Sequence, residues 1–379
     1  MRICHITPHL PPDQAANALL PFHLGAWAVQ AGDAVTYIAH HPRTPGGTTW
    51  PGPVTWIPSH RRRGAWMRHT RLGAVVSATD VVRRGAPRIR EADVVHVHGN
   101  GLLTEVGAAV ASWQRKPTVL TLYGTDVWHY RAPTLKPDLF ARAFRQASHV
   151  TFYSDGLRSR ARELGLAQDA TSVIYPPVAD SFTWQSQAGQ VDARRQLGLT
   201  RRHVLVNVKH LHPYAAQHTL IEAMPALLQT HPDTHLIVCG SGPLLAHLQQ
   251  MADAAGVGRH VTFAGLVDNQ TVAQYCAAAD LFVLPSVLEA CPTVALEALA
   301  CGTPVVTADS PGGVELGGRF GRDVVVVPRE DPDALAAAIR VQLDERRRTT
   351  TSTAQQIEQE LRLSVVGARF RSIYEACLA

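Results

Sequence analysis

Short apolar runs alternate with longer amphipathic stretches along nearly the whole chain, and this alternation constrains the fold more than any other feature of the sequence. Strand-like runs fall at 2–7, 34–39, 94–98, 118–122 and 150–153, separated by helical patterns at 18–30, 102–113 and 138–146. Parallel strands need a crossover of a dozen or more residues, usually a helix, so the rhythm predicts an α/β architecture with a parallel sheet. It halts near Val173-Ile174-Tyr175-Pro176-Pro177 and a polar stretch at 183–190, then restarts. A second cycle runs through strands at 203–208, 235–239, 261–263, 281–284, 304–307 and 324–327, with helices at 219–230, 243–255, 269–278, 293–301 and 332–346. Two doubly wound domains are expected, 1–182 and 183–363, which suits a length of 379 residues. A last amphipathic stretch, 354–378, is expected to send a terminal helix (364–379) back onto the first domain.

Composition narrows the class. Hydrophobic residues make up 46% and charged ones 18%, the balance of a chain that buries a core rather than a disordered one. The formal charge is +5, but the cations are nearly all Arg, with Lys only at 116, 136 and 209, and no nucleic-acid motif accompanies them. Six cysteines without a Cys-x-x-Cys pair read as reduced, small hydrophobes. Pro8 arrives too early for a signal-peptide core, and no apolar run approaches the ~20 residues of a membrane span, so a cytoplasmic protein is expected. The cluster Arg61-Arg62-Arg63 with Trp66, Arg68 and Arg71 is either a solvated face or a peripheral contact with anionic lipid.

The stretch most informative about chemistry runs from Leu284 to Val306. Glu289 ends a strand-to-helix loop, Pro292 suits the first position of a helix, and Glu297 lies inside that helix. Two carboxylates therefore flank one helix N-terminus, where the free N–H groups of Thr293 and Val294 and the positive dipole end favour an anionic phosphate. Read without a ligand, Glu289 is a cap and Glu297 a solvated helix residue.

The Glu-x7-Glu spacing, with Ala298, Ala300, Gly302 and Pro304-Val305-Val306 behind it, resembles the signature of retaining glycosyltransferases of family 4. Further segments fit in order: Gly240-Ser241-Gly242-Pro243, the loop 261–267, Ala279 to Ser286, and Gly312-Gly313 with Glu315. The resemblance implies the GT-B fold, two Rossmann-like doubly wound parallel-sheet domains facing a cleft. The N-terminal one would bind the acceptor and the C-terminal one the nucleotide sugar. It assigns Glu297 to the donor ribose, Glu289 to the transferred sugar, and the backbone of Leu266 and Val267 to the nucleobase. Gly240, Cys291, Pro292, Thr293 and Val294 line the donor. His98, at a strand's carboxyl end, and Tyr123, in a place where many members carry His, join Glu289 as candidate catalytic residues.

Three departures stand out. The family's phosphate-clamping Arg and Lys are replaced by His210 and Ala215, leaving Lys209 or His210 to neutralise a diphosphate. Its Gly-Gly loop after the first strand becomes Gln14, Ala15, Ala16 and Asn17, where alanines admit a phosphate only at negative φ. Tyr123 is a poor base at its reference pKa of about 10, and Asp126 after it is expected, with Gln14 to Asn17, to contact the acceptor or a phosphate. His96 and His98 share a strand face, but no third ligand of recognisable spacing accompanies them, so no metal site is expected. The activity implied is metal-independent, retaining transfer of a hexose or N-acetylhexosamine to a hydroxyl acceptor, such as a small natural-product precursor. The donor would be UDP-glucose or UDP-N-acetylglucosamine, and no cofactor is needed. The alternative is a nucleotide-sugar-binding relative whose activity is lost or different, such as a phosphorylase or epimerase.

Overall fold

A computed structural model of the chain describes residues 1–13, 15–42, 47–59, 71–134 and 137–379. Gln14, the basic cluster from Arg61 to Arg68 with Trp66, and the side chain of Arg71 lie outside the described residues. Contacts divide the chain into two compact units, Met1–Pro176 with Leu363–Ala379, and Pro177–Arg362.

The first unit holds a seven-stranded sheet of β1 (Arg2–Thr7), β2 (Ala34–Ala39), β3 (Val54–Trp56), β4 (Val94–His98), β5 (Thr118–Leu122), β6 (His149–Phe152) and β7 (Thr171–Val173). Its order is β3-β2-β1-β4-β5-β6-β7, with every pairing parallel. β4 and β5 are buried at every residue, as expected of central strands covered by helices on both faces. β3 and β7 are three-residue, half-buried edges, too short to leave a sequence pattern. The strand order reverses between β1 and β4, and ligands of open parallel sheets bind beyond the carboxyl ends at such a reversal.

The second unit repeats the plan with six parallel strands: β8 (His203–Val208), β9 (Thr234–Cys239), β10 (Val261–Gly265), β11 (Leu281–Leu284), β12 (Val305–Ala308) and β13 (Val324–Val327). The order is β10-β9-β8-β11-β12-β13, so this sheet reverses between β8 and β11. On one face, Leu205, Leu236, Val238, Leu281, Val283 and Val306 pack against Leu220, Met224, Leu335 and Ile339. Each such side chain contributes roughly 1.5–3 kcal/mol by leaving water.

The unit boundary falls at 176/177, earlier than the 182/183 division expected. Val178 N–H donates to Leu361 O at 2.8 Å, and the Arg362 guanidinium donates to the carbonyls of Ala179 and Phe182 at 3.0 Å each, tying 177–182 to the second unit. The polar stretch at 183–190 is not an open linker either. Ser186 caps a helix, Gln187–Gln196, by accepting from Gly189 N–H, and this helix buries no residue fully. Nor is 354–378 one helix. It breaks at Leu361–Arg362 into Thr351–Glu360, in the second unit, and Leu363–Leu378, in the first. The latter buries Val366, Phe370 and Tyr374, and Gly367 lies so close to Trp27 that a Cβ would come within 2.4 Å of its ring.

Candidate functional site

In the second unit, residues just past the carboxyl ends of β8 and β11 converge at the sheet's reversal. β8 ends at Val208, so Lys209 has left the strand, although Lys209 N–H still donates to Cys239 O at 3.0 Å. Gly240 takes φ +140°, and a Cβ there would come within 2.0 Å of Lys209 O. Gly242 faces Leu211 O in the same way, at 2.3 Å. The Gly-x-Gly turn is thus what lets 209–211 lie against 240–242. Gly240 N–H in turn donates to Gly265 O at 2.7 Å, bringing Leu266, 64% exposed, and the half-buried Val267 beside that turn.

Lys209 does not stand free for a diphosphate. Its Nζ lies 2.5 Å from Glu289 Oε1, an ion pair outside hydrogen-bond alignment, and only 8% of the Glu289 side chain is exposed. The carboxylate assigned to the sugar thus carries its own counter-ion. Glu289 O accepts from Gly312 N–H at 2.8 Å, and Cβ atoms at Gly312 and Gly313 would collide with the carbonyls of Ala290 and Ala308. The glycine pair therefore lets the helix Pro311–Phe320 approach the Glu289 loop.

Pro292 is the N-cap of the helix Thr293–Ala300, one position earlier than expected, and no side chain caps this end. The N–H groups of Thr293 and Val294 remain available to a ligand, because the helix's own turns begin at Ala295 N–H to Pro292 O. Glu297 is half-buried, and among the described residues its carboxyl has no hydrogen-bond or ion-pair partner. Burial pushes its carboxyl up to about 8, so the acceptor assumed ionised from the sequence is mostly protonated at neutral pH. Burial also pushes the Cys291 thiol well up, helped by the nearby Glu315 and Glu289 charges.

Of the clamp positions, His210 is exposed, while Ala215 is buried at 2% exposure and carries no charge. Ala216 beside it adopts φ +49°, a left-handed conformation costly for a residue with a Cβ.

In the first unit, the loop after β1 meets the condition set by its alanines. Ala15 takes φ −82° and ψ 150° as the N-cap of the helix Ala16–Gln30, with no side-chain cap over Ala16 and Asn17. Asn17 O accepts from Thr7 Oγ1. Asp126 does not face outward. It is 6% exposed, and its carboxylate accepts from Tyr123 N–H at 3.0 Å and Asn100 N–H at 3.3 Å. Burial raises its pKa despite these bonds. Asp126 thus fixes the loops after β4 and β5 to each other.

His98, at the carboxyl end of β4, is expected from the family resemblance to face the cleft. It is fully buried, and its imidazole lies among those of His5 and His96. The register places His5 opposite His96 across β1 and β4. His98 Nε2 meets His5 Nδ1 at 2.9 Å, and His98 Nδ1 meets the Tyr123 hydroxyl at 2.6 Å. His96 Nδ1 meets the Tyr374 hydroxyl and its Nε2 meets Thr121 Oγ1, both at 2.6 Å. Burial, reinforced for His96 and His98 by their imidazole neighbours, holds all three well below the usual histidine range, His5 at about 3, so they are neutral. Their ligating atoms lie within 4.8 Å of one another, which supplies the third histidine the sequence spacing lacked. Five of the six ring nitrogens already hold hydrogen bonds, so a metal taking one nitrogen from each ring would have to displace bonds on at least two of them, with no carboxylate in the triad to offset its charge. His5 was legible only as a polar residue inside a central strand. Asp33, which accepts from the N-terminal ammonium at 2.6 Å, and Tyr374 left no signal of their roles.

Among the described residues no helix is long and apolar enough to cross a membrane. Residues 22–182 match the family described as Glycosyltransferase Family 4, and residues 190–360 match Glycosyl transferases group 1. The putative teichuronic acid biosynthesis glycosyltransferase TuaC of Bacillus subtilis is 32% identical over 293 residues, 76% of this chain and 67% of that protein. A GDP-mannose-dependent alpha-(1-6)-phosphatidylinositol monomannoside mannosyltransferase of Mycolicibacterium smegmatis is 34% identical over 234 residues, 58% of this chain and 59% of the relative. The chain thus spans about three fifths of that relative's length. Two solved structures share the fold over 99% of this chain: HepE of Anabaena in complex with UDP, at TM-score 0.74 and 21% identity over all of that chain, and sucrose-phosphate synthase of Thermosynechococcus elongatus, at 0.76 and 20% over 98% of that chain. With two Rossmann-like parallel sheets, both halves matched in order and a relative 32% identical over three quarters of this chain and two thirds of its own length, the chain belongs to the family 4 glycosyltransferases of GT-B fold.

Proposed function

We propose that this protein transfers a hexose or N-acetylhexosamine from a nucleoside-diphosphate sugar to a hydroxyl acceptor with retention of anomeric configuration, with UDP-glucose or UDP-N-acetylglucosamine as donor. The observation that carries the reading is the convergence of Glu289, its partner Lys209, Glu297 and an uncapped helix N-terminus beyond β8 and β11. In this reading the N–H groups of Thr293 and Val294 hold the diphosphate, Glu297 takes the ribose hydroxyls and Glu289 a hydroxyl of the transferred sugar. The bond from the anomeric carbon to the diphosphate breaks, and the acceptor oxygen bonds to that carbon on the same face. The acceptor's proton passes to the departing diphosphate oxygen. The helix end stabilises the charge developing there, a type of contribution worth several kcal/mol in other enzymes. No step requires a divalent metal, so transfer should persist in EDTA.

GDP-mannose is the competing donor, favoured by the mycobacterial relatives whose names specify it. Calorimetry with UDP and GDP, followed by mass spectrometry of UDP-glucose, UDP-N-acetylglucosamine and GDP-mannose against pooled hydroxyl acceptors, decides between them. Binding of neither nucleotide would remove the reading, and binding without transfer to any acceptor would favour a relative that has lost catalysis.

A further inference from the structure

Beneath the C-terminal helix of the first unit lies a small void of about 10 Å³, bordered by His5, Trp27, Asp33, Phe370, Arg371 and Tyr374. That is close to the least space a single water occupies, and a buried water needs two to four polar partners. Two are at hand. His5 Nε2 and Asp33 Oδ2 are both buried without a hydrogen-bond partner among the described residues, on residues 0% and 7% exposed. Unmade hydrogen bonds at such atoms cost about 1–3 kcal/mol each.

We propose that a water fills this void and joins His5 to Asp33, so that Tyr123, His98, His5 and Asp33 form one hydrogen-bond chain polarised inward, leaving the Tyr123 oxygen as an acceptor for a substrate hydroxyl. The polarity is set at both ends. A phenol is a better donor than an imidazole N–H, and an imidazole nitrogen a better acceptor than a phenol oxygen, so the 2.6 Å contact runs from Tyr123 O–H to His98 Nδ1. His98 then carries its proton on Nε2 and donates to His5 Nδ1 at 2.9 Å. His5 in turn carries its proton on Nε2, donates to the water, and the water donates to the Asp33 carboxylate. Asp33 is held by the N-terminal ammonium at 2.6 Å and by Arg371 at 3.6 Å. Both cations face the acceptor end of the chain.

The consequence concerns recognition and rests on the transferase reading above. Tyr123 is half-buried, and its proton is committed inward to His98. It can therefore accept from a sugar or acceptor hydroxyl but cannot donate to a phosphate. His98, His5 and Asp33 are positioning residues that act through it.

Long-range 15N NMR of histidine-labelled protein, with His98→Gln and His5→Gln to assign the rings, reads the tautomers without any substrate. Both rings should carry the proton on Nε2. Tyr123→Phe, which removes one oxygen from an otherwise similar side chain, should move the His98 Nδ1 resonance towards that of an unbonded ring nitrogen while leaving His5 in the same tautomer. A proton on Nδ1 of either ring overturns the polarity. A crystal structure should show an ordered water within hydrogen-bond distance of His5 Nε2 and Asp33 Oδ2, and an empty void overturns the link. In turnover of whichever donor is active, Tyr123→Phe should raise KM about five- to tenfold, as for one lost hydrogen bond. An unchanged KM and kcat would remove Tyr123 from substrate contact. Because the spectra need no donor, they judge the chain even if the transferase reading fails.

Discussion

Replacing Glu297 by Gln tests the electrostatics of the donor half directly. Burial moves the Glu297 carboxyl from an ordinary 4.5 to about 8. The native state therefore holds a proton that the unfolded state releases, so the stability this group contributes is complete below pH 4.5 and declines as pH rises to about 8. Between pH 6 and pH 8 the loss is at most about 2.7 kcal/mol, at about 1.36 kcal/mol per pH unit. Glu297 is only half-buried, so solvent screens part of the charge, and halving for that leaves about 1.4 kcal/mol. A domain of this size shifts its Tm by about 2–4 °C per kcal/mol, so the wild-type Tm should fall about 4 °C further than that of Glu297→Gln from pH 6 to pH 9. Other titrating groups are common to both proteins and cancel in the comparison. Calorimetric scans of the two proteins at half-unit pH steps provide the measurement. A gap between the two Tm values that stays constant from pH 6 to pH 9 would refute the claim that Glu297 is held protonated.

The remaining predictions concern the same unit. Glu289→Ala should lower turnover while leaving UDP affinity within about twofold, since this carboxylate is assigned to the sugar; calorimetry beside steady-state rates separates the two. Lys209→Ala strands a buried carboxylate and should destabilise the unit by about 3 kcal/mol in urea unfolding. Adding Glu289→Gln should recover most of that loss, and a double variant no more stable than Lys209→Ala alone would show that the ion pair carries no coupling. If Lys209 also faces the diphosphate, Lys209→Ala weakens UDP at least tenfold and leaves uridine unchanged. Gly240→Ala places a Cβ 2.0 Å from Lys209 O at φ +140°, so it should cost several kcal/mol and lower the Tm well beyond what Gly258→Ala, at an ordinary φ against a flexible Asp253 side chain, does.

Much of this protein is determined locally. Apolar runs as regular as 94–98 and 118–122 have one use in a chain of this length, as central strands buried on both faces, and the structure has them at the residues expected. Glu289, the helix start near Pro292 and Glu297 were legible for the same reason, because a helix N-terminus and the eight residues from one carboxylate to the other are properties of a continuous segment. What tertiary structure decided depends on partners far away in sequence. Lys209 meets Glu289 only because β8 and β11 are neighbours at the reversal of the sheet. His98 turns inward because β1 sets His5 beside it and β5 brings Tyr123 to its other nitrogen. Protonation of Glu297 follows from desolvation by the folded unit, which no spacing encodes. Sequence periodicity places a side chain on an element and a face. Its charge state and the direction of its hydrogen bonds are set by the dielectric and the donors that packing assembles around it, and these exist only once the chain has folded.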